Sequence, residues 1–297
     1  MMTIRKALIA AAGFGTRLLP ITKTIQKEML PVLNRPIVDY LVEDCIKAGI
    51  EEIVFVISEH NSQILHFYRE NKRLEQYLLG REKQNLYEQI APLHQKINFS
   101  FVRQPDNSQY GTAIPVSLAK EHLQNEEAFL VFMGDDFVYN HDGASEAATM
   151  IETFNHSGAS ALVTCLPKSE EVLHKYGIAE LASEKGFSYL KRLIEKPAVG
   201  TAPSNLVNIS KYIFTPAVFE IIAHQQTNST SGELYITDTT NTIAAENKVV
   251  IHTPSGKYLD CGDLAGWLEA NLTVAKNTPA LREKIEKFLA DNWGLTK

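Results

Sequence analysis

One short, wholly apolar segment ending in glycine constrains this chain more than any other feature. "KALIAAAG" (6–13) has no polar face, so it suits a strand buried on both sides. Such strands belong to parallel sheets covered by helices on both faces. The next segments agree with that reading. "RPIVDYLVEDCIKAGI" (35–50) carries apolar residues at helical spacing, with Pro36 suited to the first turn and Gly49 to the stop. "EIVFVIS" (52–58) is a second strand, and strand, helix and strand in succession predict a βαβ unit.

The alternation continues as a polar, amphipathic helical stretch at 61–92, a strand at 97–104, a helix at 112–123 and a strand at 128–136 that ends in acids. A helix at 144–156 and a strand at 160–166 follow. From about 176 the strands shorten ("YGIAEL", "FSYLKRLIE", "NLVNISKYIF"), with helices at 216–224 and 233–246, the strand "KVVIHT" and a helical segment from about 263. No repeat, low-complexity tract or flexible linker interrupts the series. The expectation is a single α/β domain over 1–297, built on a Rossmann-like mixed, mostly parallel sheet flanked by helices.

Composition narrows the partners. With 297 residues, 44% of them hydrophobic, the chain can bury a sizeable core. A net charge of −6 argues against a nucleic-acid surface, and no apolar run is long enough to cross a bilayer, so no membrane partner is expected. Cys45, Cys165 and Cys261 are odd in number and widely spaced, as free thiols in a reducing cytoplasm would be. Arg5-Lys6 before "ALIAAAGFG" imitates a signal peptide, but the apolar stretch is short and Arg17 soon follows. A buried first strand explains the same residues better.

The loop after that strand, "AAGFGTRLLP" (11–20), invites comparison with two phosphate-binding patterns. A dinucleotide fingerprint needs a third glycine where Leu18 stands, and a Walker loop needs Gly-Lys-Ser/Thr where Thr16-Arg17 follows Gly15. Both fail. What remains is a turn with exposed backbone N–H groups, a threonine hydroxyl and a guanidinium, joined by Lys23 and Lys27. That combination suits a polyanionic ligand.

"GFGTRLLPITKTIQKEMLPVLNRPIVDYLVEDCIKAGI" resembles the opening of the sugar-1-phosphate nucleotidyltransferases, and "KEMLP" (27–31) is similar to the uridylyltransferase branch of that family. The later blocks keep the family's order: "VRQ" (102–104), "YGTAI" (110–114), "GDD" (134–136), "YGIAEL" (176–181), "IEKP" (194–197), "APSNLVNISKY" (202–212), "GELYITD" (232–238) and "DCGDLAGWLEA" (260–270). The resemblance implies the nucleotide-diphospho-sugar transferase fold. It also implies attack of glucose 1-phosphate on the α-phosphorus of UTP, giving UDP-glucose and pyrophosphate. Within 1–297, about 1–140 would bind the nucleotide and about 141–262 the sugar phosphate. The helices from about 263 to 297 would make contacts of a homodimer or homotetramer.

The same resemblance assigns roles residue by residue. Ala11 and Ala12 would lie near the base, Gly13, Gly15 and Thr16 along the triphosphate, and Arg17 at the departing pyrophosphate. Lys27 would neutralise the α-phosphate, which is chemically apt because such transfers rely on positioning and electrostatics. Gln104 offers a donor and an acceptor to the imide edge of uracil or, equally, thymine, and Gly111 lets the base approach. Asp135 and Asp260, both at strand ends, would share one Mg²⁺, while Asp136 should point to the opposite face. Glu195 and Lys196 would serve the sugar hydroxyls and the 1-phosphate, with Gly177, Asn208 and Lys211 lining the same pocket.

Some blocks depart from the family pattern. Gln109 and Thr112 stand in "QYGTA" where the family reads "GLGHA", Gly134 replaces a proline before Asp135, Asp136 is additional, and Ser210-Lys211-Tyr212 replaces Gly-Arg-Tyr. These changes leave two alternatives open. One is the same chemistry with dTTP or another hexose 1-phosphate, and the other is a catalytically silent nucleotide-sugar-binding regulator.

Overall fold

The computed structural model describes residues 1–90, 95–106, 109–182, 186–229, 231–246 and 248–293. The first strand, β1 (Lys6–Ala11), is covered on both sides: Ala7, Ile9 and Ala11 enter one apolar core, Leu8 and Ala10 the other. A small hairpin of β2 (Pro31–Val32) and β3 (Arg35–Pro36) precedes the helix Ile37–Lys47. In β4 (Glu52–Ser58), Ile53, Phe55 and Ile57 feed the first core and Val54 and Val56 the second. Alternation within a continuous apolar run therefore builds two cores, one under each layer of helices.

The remaining strands are β5 (Asn98–Gln104), β6 (Phe129–Met133), β7 (Asp136–Tyr139), β8 (Ala161–Pro167) and β9 (Gly177–Ala182). They continue as β10 (Tyr189–Glu195), β11 (Leu206–Phe214), β12 (Val249–His252) and β13 (Lys257–Asp260). Nine of them form one sheet in the order β5-β4-β1-β6-β11-β8-β12-β10-β9. The block β5-β4-β1-β6 is wholly parallel. Beyond β6 the pairing is mixed, since β11 runs antiparallel to β6 and β8 while β12 runs parallel to β8. The parallel character expected of the sheet thus belongs to its N-terminal part.

That order has a consequence for ligands. The chain adds β4 and β5 on one side of β1, then crosses to add β6 on the other. In open parallel sheets, the crevice for ligands opens at the carboxyl ends of the strands flanking such a reversal, here β1 and β6.

Two stretches fold differently from the sequence expectation. The segment 61–92 is not one helix. Gln63–Tyr68, Lys72–Leu79 and Gln84–Tyr87 are separate short helices, and 91–92 lie outside the described residues. Its exposed, charge-rich sequence supplies no sustained apolar stripe to hold a long helix on the core. The strand expected at 128–136 ends at Met133, and Gly134-Asp135 break the line. β7 then leaves the main sheet to form a two-stranded ribbon with β13.

One glycine is fixed by geometry. Gly111 has φ +123°, and a methyl group there would collide with the Leu234 backbone. Two backbone bonds close this contact: Leu234 N–H donates to Tyr110 O at 2.9 Å and Ala113 N–H to Leu234 O at 3.0 Å. Gly111→Ala is expected to cost about 2 kcal/mol in urea unfolding, from strain and lost contact. An unchanged unfolding midpoint would contradict this account of the loop.

Candidate active site

The site gathers where β1 and β6 end. Beyond Ala11 the backbone turns through Gly13 and Gly15 into a single 3₁₀ turn, Thr16–Leu18. Gly15 has φ +64°, and its carbonyl accepts a hydrogen bond from the Thr22 hydroxyl at 2.8 Å. A further 3₁₀ turn, Lys27–Met29, is pinned just before its start. The Gln26 side-chain amide donates to the Ala11 carbonyl, and its backbone N–H donates to Gln63 Oε1 at 2.8 Å.

This pinning aims Lys27 at the end of β6. Its Nζ lies 2.7 Å from Asp135 Oδ2, while a methyl group on Gly13 would touch Lys27 Cε and Nζ, both at 3.3 Å. Burial works against both charges, yet Asp135 and Glu28 raise the lysine above its ordinary value, and Lys27 holds Asp135 below its own. The pair is ionised across the neutral range.

Asp260 arrives from β13. The ribbon sets Asp260 opposite Asp136, and Cys261 N–H donates to Asp135 O at 3.0 Å. Asp260 Oδ1 in turn accepts from Gly262 N–H at 2.9 Å. A methyl group on Gly262 would lie 2.6 Å from Arg17 Nη2, 3.0 Å from Asp260 Oδ1 and 3.2 Å from Asp135 Oδ2. Arg17, Asp135 and Asp260 therefore converge on one small space that only glycine leaves open. Two hard carboxylate oxygens beside a void suit a divalent cation. Among the described residues no group of three or more His, Cys, Asp or Glu is placed to hold a metal.

A cleft of about 260 Å³ opens beside this point, lined among others by Ala12, Gly13, Lys27, Gln104, Gly111 and Asp135. The parallel block explains the grouping, since β1 and β6 run side by side and β5 ends at the same edge of the sheet. A roomier cleft of about 650 Å³ lies elsewhere, between the β2–β3 hairpin, residues 138–144 and the C-terminal helices, and it holds none of the predicted residues.

Four of the five residues expected on the sugar side also meet. Gly177 and Glu195 are paired across β9 and β10, and a methyl on Gly177 would lie 3.0 Å from Glu195 Oε2 and 3.9 Å from Asn208 Cβ. Lys196 follows with φ +45°, its N–H donating to Tyr176 O at 3.1 Å.

Residues 6–277 match the nucleotidyl transferase family. The chain belongs to that family. A UTP–glucose-1-phosphate uridylyltransferase of Staphylococcus epidermidis is 33% identical over 291 residues, spanning 97% of this chain and 98% of the relative. A UTP-bound UGPase from Acinetobacter baumannii superposes with a TM-score of 0.87 at 28% identity, over 98% of this chain and 100% of its own. A UDP-glucose pyrophosphorylase complexed with UDP-glucose does so with a TM-score of 0.80 at 33% identity, over 92% and 99%.

Two sugar-side expectations need correction in this nucleotidyl transferase. Lys211 does not reach the pocket, because it is only 1% exposed and its ammonium is bonded to Asp136 Oδ1 beneath the site. Asp136, the first residue of β7 after the Gly134-Asp135 turn, points into the interior, and its second oxygen accepts from the Tyr258 hydroxyl at 3.1 Å. Burial, with Asp135 and Asp260 nearby, raises the Asp136 carboxyl, and Lys211 opposes that rise. The additional acid and the Lys211 departure are thus two halves of one ion pair. Asn208 does border the pocket, but its amide is committed: Nδ2 donates to the Tyr212 hydroxyl at 2.7 Å and Oδ1 accepts from Ser210 N–H at 2.9 Å. A bulge between Asn208 and Tyr212, with Ser210 at φ +55°, turns it inward.

Glu28, Phe14 and Tyr110, which no chemical motif singles out in the sequence, line the 260 Å³ cleft as well. Glu28 is fully buried, and among the described residues neither oxygen meets a hydrogen-bond donor in good geometry. Burial pushes its carboxyl up to about 7. Gly134 makes room for it, since a methyl there would lie 2.8 Å from Glu28 Cγ. The only signal in the sequence is its place in "KEMLP".

Removing the Lys211 charge should strand Asp136 in the interior. Lys211→Ala is expected to lower unfolding stability by about 3 kcal/mol in urea titration, with Lys211→Arg recovering most of the loss. A loss below about 0.5 kcal/mol, the range of ordinary surface changes, would contradict the pairing.

Proposed function

We propose that the chain transfers the uridylyl group of UTP to glucose 1-phosphate, giving UDP-glucose and pyrophosphate. The observation that carries this reading is the convergence of Lys27, Arg17, Asp135 and Asp260 at the switch point of the sheet, beside a cleft that Gln104 helps to line. An oxygen of the sugar phosphate attacks the α-phosphorus in line. The new P–O bond forms as the bond to the bridging oxygen of the β-phosphate breaks, and pyrophosphate leaves with the electron pair. No proton needs to move, so electrostatics does the catalytic work.

In this reading the glycine loop follows the triphosphate and Thr16 supplies a hydroxyl. Lys27 neutralises charge growing on the α-phosphate, and Arg17 meets the departing pyrophosphate. Asp135 and Asp260 would hold a divalent cation, taken here as Mg²⁺, which when bound supplies positive charge at the phosphates. Ala11, Ala12, Gln104 and Gly111 surround the base. Glu28, which lines the cleft and has Lys27 Nζ at 3.9 Å as its charged neighbour, offers acceptor oxygens that suit ribose hydroxyls, and this favours a ribonucleotide over dTTP. Gly177, Glu195 and Lys196 take the sugar and its phosphate, in the half from about 141 to 262, with Asn208 as support.

Two further proposals concern setting. Leu264, Leu268 and Leu272 recur every fourth residue on the helix Leu264–Lys276, and all are exposed, which supports a homo-oligomer contact there. Three buried free cysteines suit a cytoplasmic location, and among the described residues no helix is long and apolar enough to cross a membrane.

Pyrophosphate release measured with each triphosphate and sugar phosphate tests the reading. UTP with glucose 1-phosphate is expected to give the highest kcat/KM, and a clearly higher value with dTTP would overturn the choice of nucleotide. Lys27→Ala should lower kcat by about 10²–10³ while changing the Kd for UTP only a few-fold, because its charge acts chiefly in the transition state. Equal losses in kcat and in UTP affinity would remove that role.

A further inference from the structure

Two exposed aromatic side chains flank the mouth of the 260 Å³ cleft. Phe14, the middle residue of Gly13-Phe14-Gly15, is 68% exposed, and Tyr110, just before Gly111, is 39% exposed. Their ring centroids are 5.9 Å apart at an interplanar angle of 50°. They come from two different loops, one after β1 and one after β5, and they share the lining with Ala12, Gln104 and Gly111.

Neither ring sits on slack backbone. The Thr22 hydroxyl holds the Gly15 carbonyl, and Leu234 clamps the chain on both sides of Gly111. Ile236 N–H also donates to Thr112 Oγ1 at 2.9 Å, and the Tyr110 hydroxyl lies 3.4 Å from Asp106 Oδ1. Two large apolar faces are therefore held in water, next to each other and next to an amide with one donor and one acceptor. Exposed aromatic surface beside a polar cleft gains most from a flat, unsaturated ligand.

We propose that Phe14 and Tyr110 form an aromatic clamp that binds the face of the nucleobase, while Gln104 takes its edge. The inference rests on the reading of this cleft as the UTP site. It divides recognition in two, with the amide selecting the imide pattern and the rings selecting planarity. The position between the two glycines of the phosphate loop thereby links base binding to phosphate binding.

Steady-state kinetics with UTP and 5,6-dihydro-UTP tests the clamp, because the reduced base keeps the imide edge and loses its flat, conjugated ring. The wild-type enzyme is expected to show a KM for UTP about tenfold below that for dihydro-UTP. Phe14→Ala and Tyr110→Ala should each raise the KM for UTP about 5- to 20-fold, the range of base–aromatic stacking, with kcat within about twofold. The KM for glucose 1-phosphate should not move, Tyr110→Phe should behave as wild type, and the double alanine variant should no longer prefer UTP over dihydro-UTP. Thermal unfolding of the variants should match wild type, since both side chains are exposed.

A double variant that keeps the wild-type preference for the planar base would overturn the clamp. So would losses shared equally by both substrates, which would indicate a structural role. A wild-type enzyme inactive with UTP would instead sink the uridylyl-transfer reading, and the clamp with it.

Discussion

Burying β1 on both faces is the constraint on which the rest of the molecule depends. A strand with no solvent side must have helices above and below and paired neighbours left and right, and here those neighbours are β4 and β6, both parallel to it. Parallel strands end on the same edge of the sheet. The carboxyl ends of β1 and β6, and with them Ala11 and Asp135, are therefore brought together by the need to hide Ala7 to Ala11 from water. The glycine loop has nowhere else to go.

On that platform the difficulty is negative charge. Asp135, Asp136, Asp260 and Glu28 crowd the end of β6 in largely buried surroundings, where unpaired carboxylates are costly. Two lysines divide the task on the two sides of the turn that leads into β7. Lys27 reaches Asp135 on the open side, and Lys211 reaches Asp136 on the closed side. Of the two, Lys27 is the one beside the cleft, where an incoming phosphate would meet it.

Much of this was legible in the sequence. The strand at 52–58 is found at those residues, and the helix read at 35–50 runs from Ile37 to Lys47. Arg17, Lys27, Asp135 and Asp260 do meet, as the family blocks implied. Three features were not legible. Apolar residues run from Ala128 to Met133 and lead straight into Gly134-Asp135-Asp136, so nothing in their pattern reveals that Gly134 leaves room for Glu28 or that the chain turns there into β7. The charge at Lys211 looks like a phosphate ligand until Asp136 is seen beneath it. Asn208 looks available until the bulge at Ser210 turns its amide toward Tyr212.

The sequence alone determined the order of elements, the burial of the first strand and the chemical types that surround the loop, because these depend on local patterns of apolarity and on short motifs. Tertiary structure alone decided which charge pairs with which, and which side chains face the cleft. Asp136 and Lys211 are far apart in the chain, as are Phe14 and Tyr110, and only tertiary packing brings the first two into an ion pair and the second two into ring contact. No periodicity in either segment records the distance to the other.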